Sequence, residues 1–485
     1  MGLVEGSVRR RVAAGPGRSR RCGVNAPHDR TEASTRPSTT HEEVAVKRLS
    51  AMRSESALWR MAGSLVGGQG ATAALSFLFW ILVTRLVDAD EVGAASAVIS
   101  TQTLLGLVGS LGLGTYLVVE LPRRPPEEHR GLVLRAFLSV SVVAAAVSLV
   151  VALVVRATGG GALAHGLESP CRTAMFLVGA AAAAIVLVLD EAVLGVDRAD
   201  VQLRRNITAS LLRFPLTLVV LLLGVRDATA LQALWIVPIL LSVLLAWRRL
   251  RLPGGATLDV PPPGGVRARG RIGVVVGEAA RATRHYGLNL AVAASTQLVP
   301  AVAGLVLTSE ENAPFAIAWL IATFAFVIPY FVSVALFARR ANDHPLELAR
   351  SMRQTLPVCL GLVLLAEAGA AALGYPVLLV FGPQYAAEGY VLLLLLIPAG
   401  IGMVVKDHLV AWWRVREQFR LATTLAVCAV LVEIAGAVVG GVLDDARGVA
   451  LGWLVGLTVE LVVAVPLLVV VVRQGRRAPV VEDAS

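Results

Sequence analysis

Several ionisable side chains lie inside long apolar segments of this chain, where charged groups are least expected. They are Asp190, Arg213, Glu367, Lys406, Asp407, Glu433 and Glu460. If these segments cross a membrane, an ionisable group near the bilayer centre costs at least ~2.5–3.5 kcal/mol on insertion scales. Each group therefore needs a partner or a polar cavity. Together they offer two kinds of chemistry, anion binding and proton exchange.

The two cations suit a phosphate-containing ligand. Arg213 lies well inside its segment, two residues before Pro215, and Lys406 lies inside another segment. A guanidinium group binds phosphate through its planar fork, and an ammonium group binds it as a point charge. We expect a polar cluster in which both cations engage a diphosphate. The alternative is snorkelling with local ion pairs, Arg213 with Asp190 and Lys406 with Asp407.

The carboxyl groups suggest a second role. Glu367, Glu433 and Glu460 each fall near the middle of an apolar segment. Away from water the neutral form of a carboxyl group is favoured, so these groups could take up and release a proton during a conformational cycle. Asp190 and Asp407 belong to the same candidate coupling set. The alternative is a neutral carboxyl that forms hydrogen bonds between helices.

The apolar segments themselves predict the fold class. Their cores run at about 61–84, 93–119, 132–155, 173–196, 206–225, 229–247, 285–307, 314–337, 355–380, 389–412, 421–442 and 449–472. A helix needs ~20 apolar residues to cross the hydrocarbon core, and nearly every segment has that length. The sequence therefore predicts an all-α, polytopic membrane protein of 12 transmembrane helices.

The arginines predict the orientation. Twenty-five of them lie on alternate connections, which are 120–135, 197–205, 248–284, 339–354, 413–420 and the tail 473–485. The intervening connections are mostly acidic and carry five Arg. Lys and Arg are retained on the cytoplasmic side of a membrane. One topology satisfies every connection, a multi-pass protein of the bacterial cytoplasmic membrane with both termini cytoplasmic. Trp453 then falls near an outer end, where indole rings are common.

The amino-acid composition limits the classes of function that are expected. Hydrophobic residues make up 56% of the chain and charged residues 16%, values typical of membrane proteins. The net charge of +10 follows from the cytoplasmic arginines, so no nucleic-acid partner is expected. The four Cys form no CxxC and no Cys/His pair, which predicts neither a disulfide framework nor a metal site.

The sequence also argues against catalysis. It contains no Walker loop and no Ser/His/Asp set, so we expect neither an enzyme nor a cofactor. Predicted outer loops are no longer than about 17 residues. Membrane glycan polymerases and ligases place catalytic groups on large external loops, so that class is disfavoured.

Two polar segments divide the chain. Residues 1–57 hold no apolar run and predict a disordered basic tail. Two interpretations of this tail stay open, a basic arm on anionic lipid or an over-extended gene start, and the second is favoured. A linker rich in Pro, Gly and Arg at 249–284 separates six spans at 58–248 from six at 285–472.

The two six-span units have the same orientation, which predicts parallel repeats. A weak similarity supports this division, because in both units the first span leads through a short acidic turn into the second. The turns are Arg85–Gly93 and Thr308–Ala313. We therefore expect two parallel six-helix lobes with a cleft between them, followed by a cytoplasmic tail at 473–485.

Scattered short motifs resemble a known family. They are the turn Val83–Gly93, similar to an R-L-x-x-x-E-x-G pattern, then Leu111–Leu117, Leu121–Arg124, Leu189–Arg198, Leu298–Pro300 and Val380–Tyr385. The chain resembles the polysaccharide flippases of the multidrug/oligosaccharidyl-lipid/polysaccharide (MOP) exporter superfamily, over roughly residues 60–470. Arg213 departs from the family pattern, in which a Lys is loosely expected.

The resemblance implies a V-shaped pair of lobes that alternately open to each side of the membrane. Its implied cargo is a polyprenyl-diphosphate-linked oligosaccharide, moved outward for surface polysaccharide biosynthesis. Implied partners are membrane lipid, this lipid-linked glycan, and a polysaccharide polymerase or glycosyltransferases. The resemblance places Gln69, Asn289 and Gln297 at the cleft, where amides could bind sugar hydroxyls. Hydrogen bonding between helices is the alternative role for these amides.

Two other functions stay open. A multidrug (MATE-type), ion-coupled antiporter of the same superfamily shares the expected scaffold but carries a small organic cation. A membrane glycan polymerase or ligase is the less favoured class. The basic residues near the predicted cleft favour an anionic cargo.

Overall fold

The computed structural model describes residues 70–477, except 197, 251–286, 288–289, 291–296, 341–344 and 417. The predicted tail 1–57, most of the linker 249–284, and the candidate residues Gln69 and Asn289 lie outside the described residues. Within the described ranges the chain is helical throughout, with short connections and no strand. The all-α prediction is therefore confirmed for this part of the chain.

The first half contains the longer helices expected of membrane spans and two short ones. Its elements are α1 (Gly70–Leu86), α2 (Ala89–Gly109), α3 (Leu113–Glu120), a 3-10 turn (Leu121–Arg123), α4 (Pro126–Thr158), α5 (Gly161–Gly166), α6 (Pro170–Gly195), α7 (Ala199–Leu222) and α8 (Ala228–Leu250). The helix α8 extends slightly beyond the predicted start of the linker.

The second half contains the remaining helices. Its elements are α9 (Gln297–Val306), α10 (Ser309–Arg340), α11 (Pro345–Phe381), α12 (Pro383–Leu396), α13 (Ala399–Val415) and α14 (Phe419–Arg477). The last helix continues to Arg477, beyond the predicted end of the final span at residue 472.

Length and composition make these helices suitable for a bilayer. Among the described residues, nine helices are long and apolar enough to cross a membrane, and α1 and α9 are shorter apolar helices. Large apolar side chains such as Leu138, Leu365 and Val462 are exposed on their outer faces. Backbone polar groups are satisfied inside each helix, which is the condition for contact with lipid.

The helix α14 is a hairpin rather than one rod. Asp444 and Asp445 have non-helical dihedral angles, and they separate a first limb (419–443) from a second limb (446–477). A Cβ atom at Gly440 would overlap the backbone of Gly448, and one at Gly436 would overlap Gly452. The limbs therefore pack side by side, in contact along a glycine stripe of the kind that lets membrane helices approach closely.

Two helical stretches are broken near their middles. Between α2 and α3 the chain turns at Leu111 (φ 50°) and Gly112 (φ 70°), both in the left-handed region. Between α12 and α13 it turns at Pro398, which has no N–H to continue the helical pattern. Each half thus contains one discontinuous stretch whose second part has a new helix N-terminus.

The two halves join at one end of the molecule, here called the junction end. Asn312 donates to the Gly93 carbonyl at 2.9 Å and to the Ser96 hydroxyl at 3.1 Å. The Ala162 N–H donates to the Leu307 carbonyl at 2.7 Å. The two acidic turns that the sequence analysis compared, Arg85–Gly93 and Thr308–Ala313, therefore lie against each other.

The hydrophobic cores show that the two halves are joined at one end and separate at the other. The largest core contains residues of both halves near the junction end, including Phe79 and Trp80 from the first half and Trp319 and Trp453 from the second. Toward the opposite end, one core is built around Leu117 in the first half and a separate one around Met352, Leu409 and Trp412 in the second half. The halves are thus packed together at the junction end and have separate cores at the other.

The glycine stripe of α14 gives a stability prediction. Gly440→Ala should destabilise the protein by about 1–3 kcal/mol, because the new methyl group must push the two limbs apart. Gly369→Ala is the matched control, since a Cβ there meets nothing within 4 Å. Alanine favours a helix over glycine by up to about 1 kcal/mol, so the control should keep or raise the unfolding temperature in detergent. Equal melting temperatures for the two variants would contradict the close packing of the limbs.

Candidate functional site

Arg213 lies in an aromatic and polar pocket between α1, α7 and α8. The short connection 223–227 folds α7 and α8 side by side, which places the Arg213 guanidinium carbon 3.7 Å from the centroid of the Trp235 ring. The ring centroid of Phe79 lies 5.5 Å from the same carbon. Arg213 Nη1 donates to the Ser76 hydroxyl at 3.3 Å. With 5% of its surface exposed, the side chain is too enclosed to snorkel to water.

Asp190 is not the partner of Arg213. It binds Arg205 through two bonds instead, Nε to Oδ1 at 2.9 Å and Nη2 to Oδ2 at 2.7 Å. The suggested pairing of Arg213 with Asp190 is therefore corrected. Arg205 lies two helical turns closer to the α6–α7 connection, opposite the last turns of α6, and there it is the nearer cation. The sequence analysis placed Arg205 in the connection 197–205 and therefore did not predict this ion pair.

The charge of Arg213 is uncompensated within the part of the chain that the structure describes. No carboxylate there lies within ion-pair distance of it, and its buried Nε has no hydrogen-bond partner. The Trp235 ring attracts the cation, which offsets part of the desolvation cost. A buried guanidinium with free hydrogen-bonding capacity is suited to accept an anion.

Lys406 has the opposite environment. It reaches from α13 across to both limbs of α14, where its Nζ lies 2.5 Å from Glu433 Oε1 and 3.0 Å from Glu460 Oε2. The indole N–H of Trp453 donates to Glu433 Oε2 at 2.9 Å. We call Lys406, Glu433 and Glu460 the charged triad. It brings together three residues that the sequence placed on three separate spans.

The triad corrects the suggested local pairing of Lys406. The suggested partner was its neighbour Asp407, but the short contacts of Lys406 are with glutamates on other elements. These carboxylates would compete with a diphosphate for Lys406, whose role in substrate binding stays a prediction.

Trp453 is fully buried and packs on Trp319, with ring centroids 4.9 Å apart, so it is a core residue and a hydrogen-bond donor to the triad. No pattern in the sequence links Trp453 to Glu433, because the link depends on where the α14 hairpin turns.

Glu367 lies at the break between α12 and α13. Its Oε1 would be 2.6 Å from a Cβ atom on Gly400, and this buried oxygen has no hydrogen-bond partner among the described residues. The first-turn N–H groups of α13, those of Gly400 and Ile401, donate to the carbonyls of Ile397 and Pro398 at 3.0 and 3.3 Å. The carboxyl group thus lies beside the N-terminus of α13, where the helix dipole favours negative charge. Glu367 is thus separate from the charged triad.

The structure describes two more of the candidate residues, Asp407 and Gln297. Asp407 is buried in α13, and its backbone carbonyl accepts a hydrogen bond from Ser333 at 2.7 Å. Gln297 is half-buried at the start of α9. Among the described residues no group of three His, Cys, Asp or Glu side chains could hold a metal ion.

Comparison with known proteins supports the fold, and a family model matches the first half of the chain. Residues 58–257 match the family model described as "Polysaccharide biosynthesis protein". No curated protein matches the chain.

Solved structures of MOP superfamily transporters are similar to the whole helical region. An inward-facing multidrug resistance MATE family transporter matches with a TM-score of 0.65 at 13% identity, covering 84% of this chain and 96% of its own. The lipid II flippase MurJ, in an inward closed conformation, has a TM-score of 0.60 at 10% identity, covering 84% and 89%. A MOP superfamily transporter from Pyrococcus furiosus has a TM-score of 0.55 at 14% identity, covering 87% and 96%.

At these identities the structural matches show the fold, and the first half of the chain carries the family match. Together they confirm the predicted resemblance: this chain has the fold of MOP superfamily transporters, and residues 58–257 resemble the polysaccharide biosynthesis family.

Proposed function

We propose that this protein moves an anionic, polyprenyl-diphosphate-linked oligosaccharide across the cytoplasmic membrane by alternating access, for surface polysaccharide biosynthesis. The observation that carries the proposal is Arg213, a buried guanidinium with no carboxylate partner among the described residues. The family match over residues 58–257 covers this residue and points to polysaccharide biosynthesis. No catalytic step is part of the proposal.

The chemistry of Arg213 suits a diphosphate. A buried cation without an ionic partner destabilises the protein, unless a bound anion neutralises it during the transport cycle. A diphosphate carries that negative charge, and its oxygens match the donors of the guanidinium fork. The Trp235 ring holds the guanidinium plane in place and does not consume its hydrogen-bond donors in the way that a carboxylate would. The amides Gln69, Asn289 and Gln297 would then bind the sugar portion, as the resemblance implies.

The proposed topology has twelve spans in two parallel lobes with both termini cytoplasmic. Among the described residues, the arginine-rich connections around Arg123 and Arg414 lie at the end opposite the junction, where the halves have separate cores. That end is then cytoplasmic, and a cargo made in the cytoplasm would enter there. Outward release requires the junction end to open, which means breaking the bonds of Asn312 with Gly93 and Ser96.

A multidrug antiporter is the competing function, since solved multidrug resistance transporters share the fold. The carboxylates of the charged triad are the feature that favours it. Against it, an organic cation would be repelled by the unpaired Arg213. The two functions require cargoes of opposite charge, so substitution at Arg213 distinguishes between them.

The first test is deletion of the gene. We expect lipid-linked oligosaccharide to accumulate on the inner leaflet and surface polysaccharide to be lost, because the diphosphate headgroup does not cross the bilayer unaided. Leaflet-selective labelling of the glycan in spheroplasts and inverted vesicles would measure this. Normal polysaccharide export combined with new sensitivity to organic cations would favour the antiporter.

The second test is a substitution series at Arg213. Arg213→Met should reduce export at least tenfold, because the anion loses its charge partner, and Arg213→Lys should keep part of it, because the charge stays but the planar fork is lost. Export by the complemented deletion strain is measured at equal protein levels. Arg226→Gln is the control, since Arg226 is exposed at the end of the same helical hairpin. Full export by Arg213→Met would remove the main support for an anionic cargo at this site.

A further inference from the structure

We propose that a basic cavity between α7 and α8 binds the phosphate group of an anionic membrane phospholipid, with Arg204 as its unpaired cation. The cavity lies beside the α6–α7 connection, at the end that is cytoplasmic in the proposed topology. It is separate from the pocket of Arg213, which lies more than two helical turns further along α7. No cargo takes part in this binding, so the inference goes beyond the proposed function.

The cavity exists because the side chains of α8 that face it are small. Ser242 and Ala246, one turn apart on α8, are both buried and leave a space of about 70 Å³ opposite α7. A cavity needs about 10–15 Å³ to admit one water molecule. The space is therefore large enough for a phosphate group and too small for an oligosaccharide. Its polar lining on the α7 side includes Arg198, Arg204, Arg205 and Thr208.

These arginines leave one positive charge in surplus among the described residues. Arg198 binds both carboxylate oxygens of Asp200, Nε to Oδ1 at 2.9 Å and Nη2 to Oδ2 at 3.3 Å. Arg205 is occupied in the same way by Asp190 on α6. Arg204 is exposed, and it forms no ion pair or side-chain hydrogen bond within the part of the chain that the structure describes. Three cations and two carboxylates thus leave one cation for a ligand.

A phosphodiester matches this cavity in charge and in hydrogen bonding. It carries one negative charge, equal to the surplus, and its oxygens accept hydrogen bonds from guanidinium and hydroxyl groups. The Thr208 hydroxyl lies one turn from Arg204 and has no hydrogen-bond partner among the described residues. The N-terminus of α7, which begins at Ala199, adds partial positive charge at the same end. A diphosphate would bring more negative charge than this cavity offsets.

An exposed apolar stripe favours a lipid over a free phosphate ion. Leu245 lines the cavity, and Leu241 and Val237 precede it on α8 at four-residue intervals, so the three share one face. Each of them is 40% exposed. On α7, Leu211 lies one turn beyond Thr208 and is 51% exposed. Acyl chains can therefore follow this stripe while the phosphate group occupies the cavity. Basic pockets between membrane helices on the cytoplasmic side bind anionic lipid headgroups in this way.

A bound lipid would hold α7 and α8 together. The cavity takes its walls from both helices, and the same two helices carry Arg213 and the Trp235 ring on which it stacks. A ligand that binds only the folded protein raises its stability. We therefore expect an anionic phospholipid to raise the unfolding temperature of the delipidated protein.

The test is a lipid titration of the full-length, delipidated protein in detergent, followed by native mass spectrometry. We expect one phosphatidylglycerol molecule to bind tightly, and Arg204→Gln to weaken its binding about tenfold, because a charge-assisted hydrogen bond is lost. Thr208→Val, which keeps the shape of the side chain, should weaken binding by a smaller factor. Arg135→Gln is the matched control, since it removes an exposed arginine from α4 in the same half.

Three further ligands distinguish the sources of the phosphate. Phosphatidylcholine has the same phosphodiester but an added cation, and it should bind more weakly than phosphatidylglycerol. Diacylglycerol, which has no phosphate, should not occupy the site. Inorganic phosphate should displace phosphatidylglycerol only at much higher concentration, because it makes no contact with the apolar stripe.

The inference would be overturned by equal phosphatidylglycerol binding in Arg204→Gln, Thr208→Val and Arg135→Gln. Equal binding of the two phospholipids would also overturn it, because the site would then not select an anionic headgroup. Displacement by inorganic phosphate at equal concentration would show a free-phosphate site instead. Glycan flipping is not measured in this experiment, so failure of the proposed function would leave each of these results unchanged.

Discussion

The cost of keeping a charge away from water is the constraint on which the arrangement of this protein depends. Helices satisfy their own backbone groups, but an ionised side chain inside them needs another charge or a set of hydrogen bonds. The chain meets this need in different ways at three places. Asp190 and Arg205 form a two-bond pair, Lys406 is shared by two glutamates, and Arg213 is stacked on Trp235.

Only the third arrangement leaves a net charge without an ionic partner in the described structure. That difference separates charges that hold helices together from a charge that is available to a ligand. Glu367 differs from the charged triad, because its carboxyl group lies against Gly400 at the N-terminus of α13, where the helix dipole favours negative charge. Burial alone would not have distinguished these cases, since all of these groups are largely enclosed.

The sequence predicts the fold class well because helix length and hydrophobicity are local properties. It also identifies Arg213 and the three glutamates as unusual, since their positions inside apolar segments can be read directly. The partners of these residues cannot be predicted from the sequence, because they lie on other helices. Glu433 and Trp453 meet because the chain reverses at Asp444 and Asp445, and a shift of that turn by one residue would rotate one of them away. The local pairings suggested for Arg213 and Lys406 failed for the same reason.

The junction between the halves is built from the starts of two helices. Asn312, near the start of α10, donates to Gly93 and Ser96 near the start of α2. Because one chain carries both halves, their association is intramolecular and is governed by an effective concentration rather than by the abundance of the protein. Under the proposed alternating access, a junction that opens and closes in every cycle can therefore be weak and still re-form reliably.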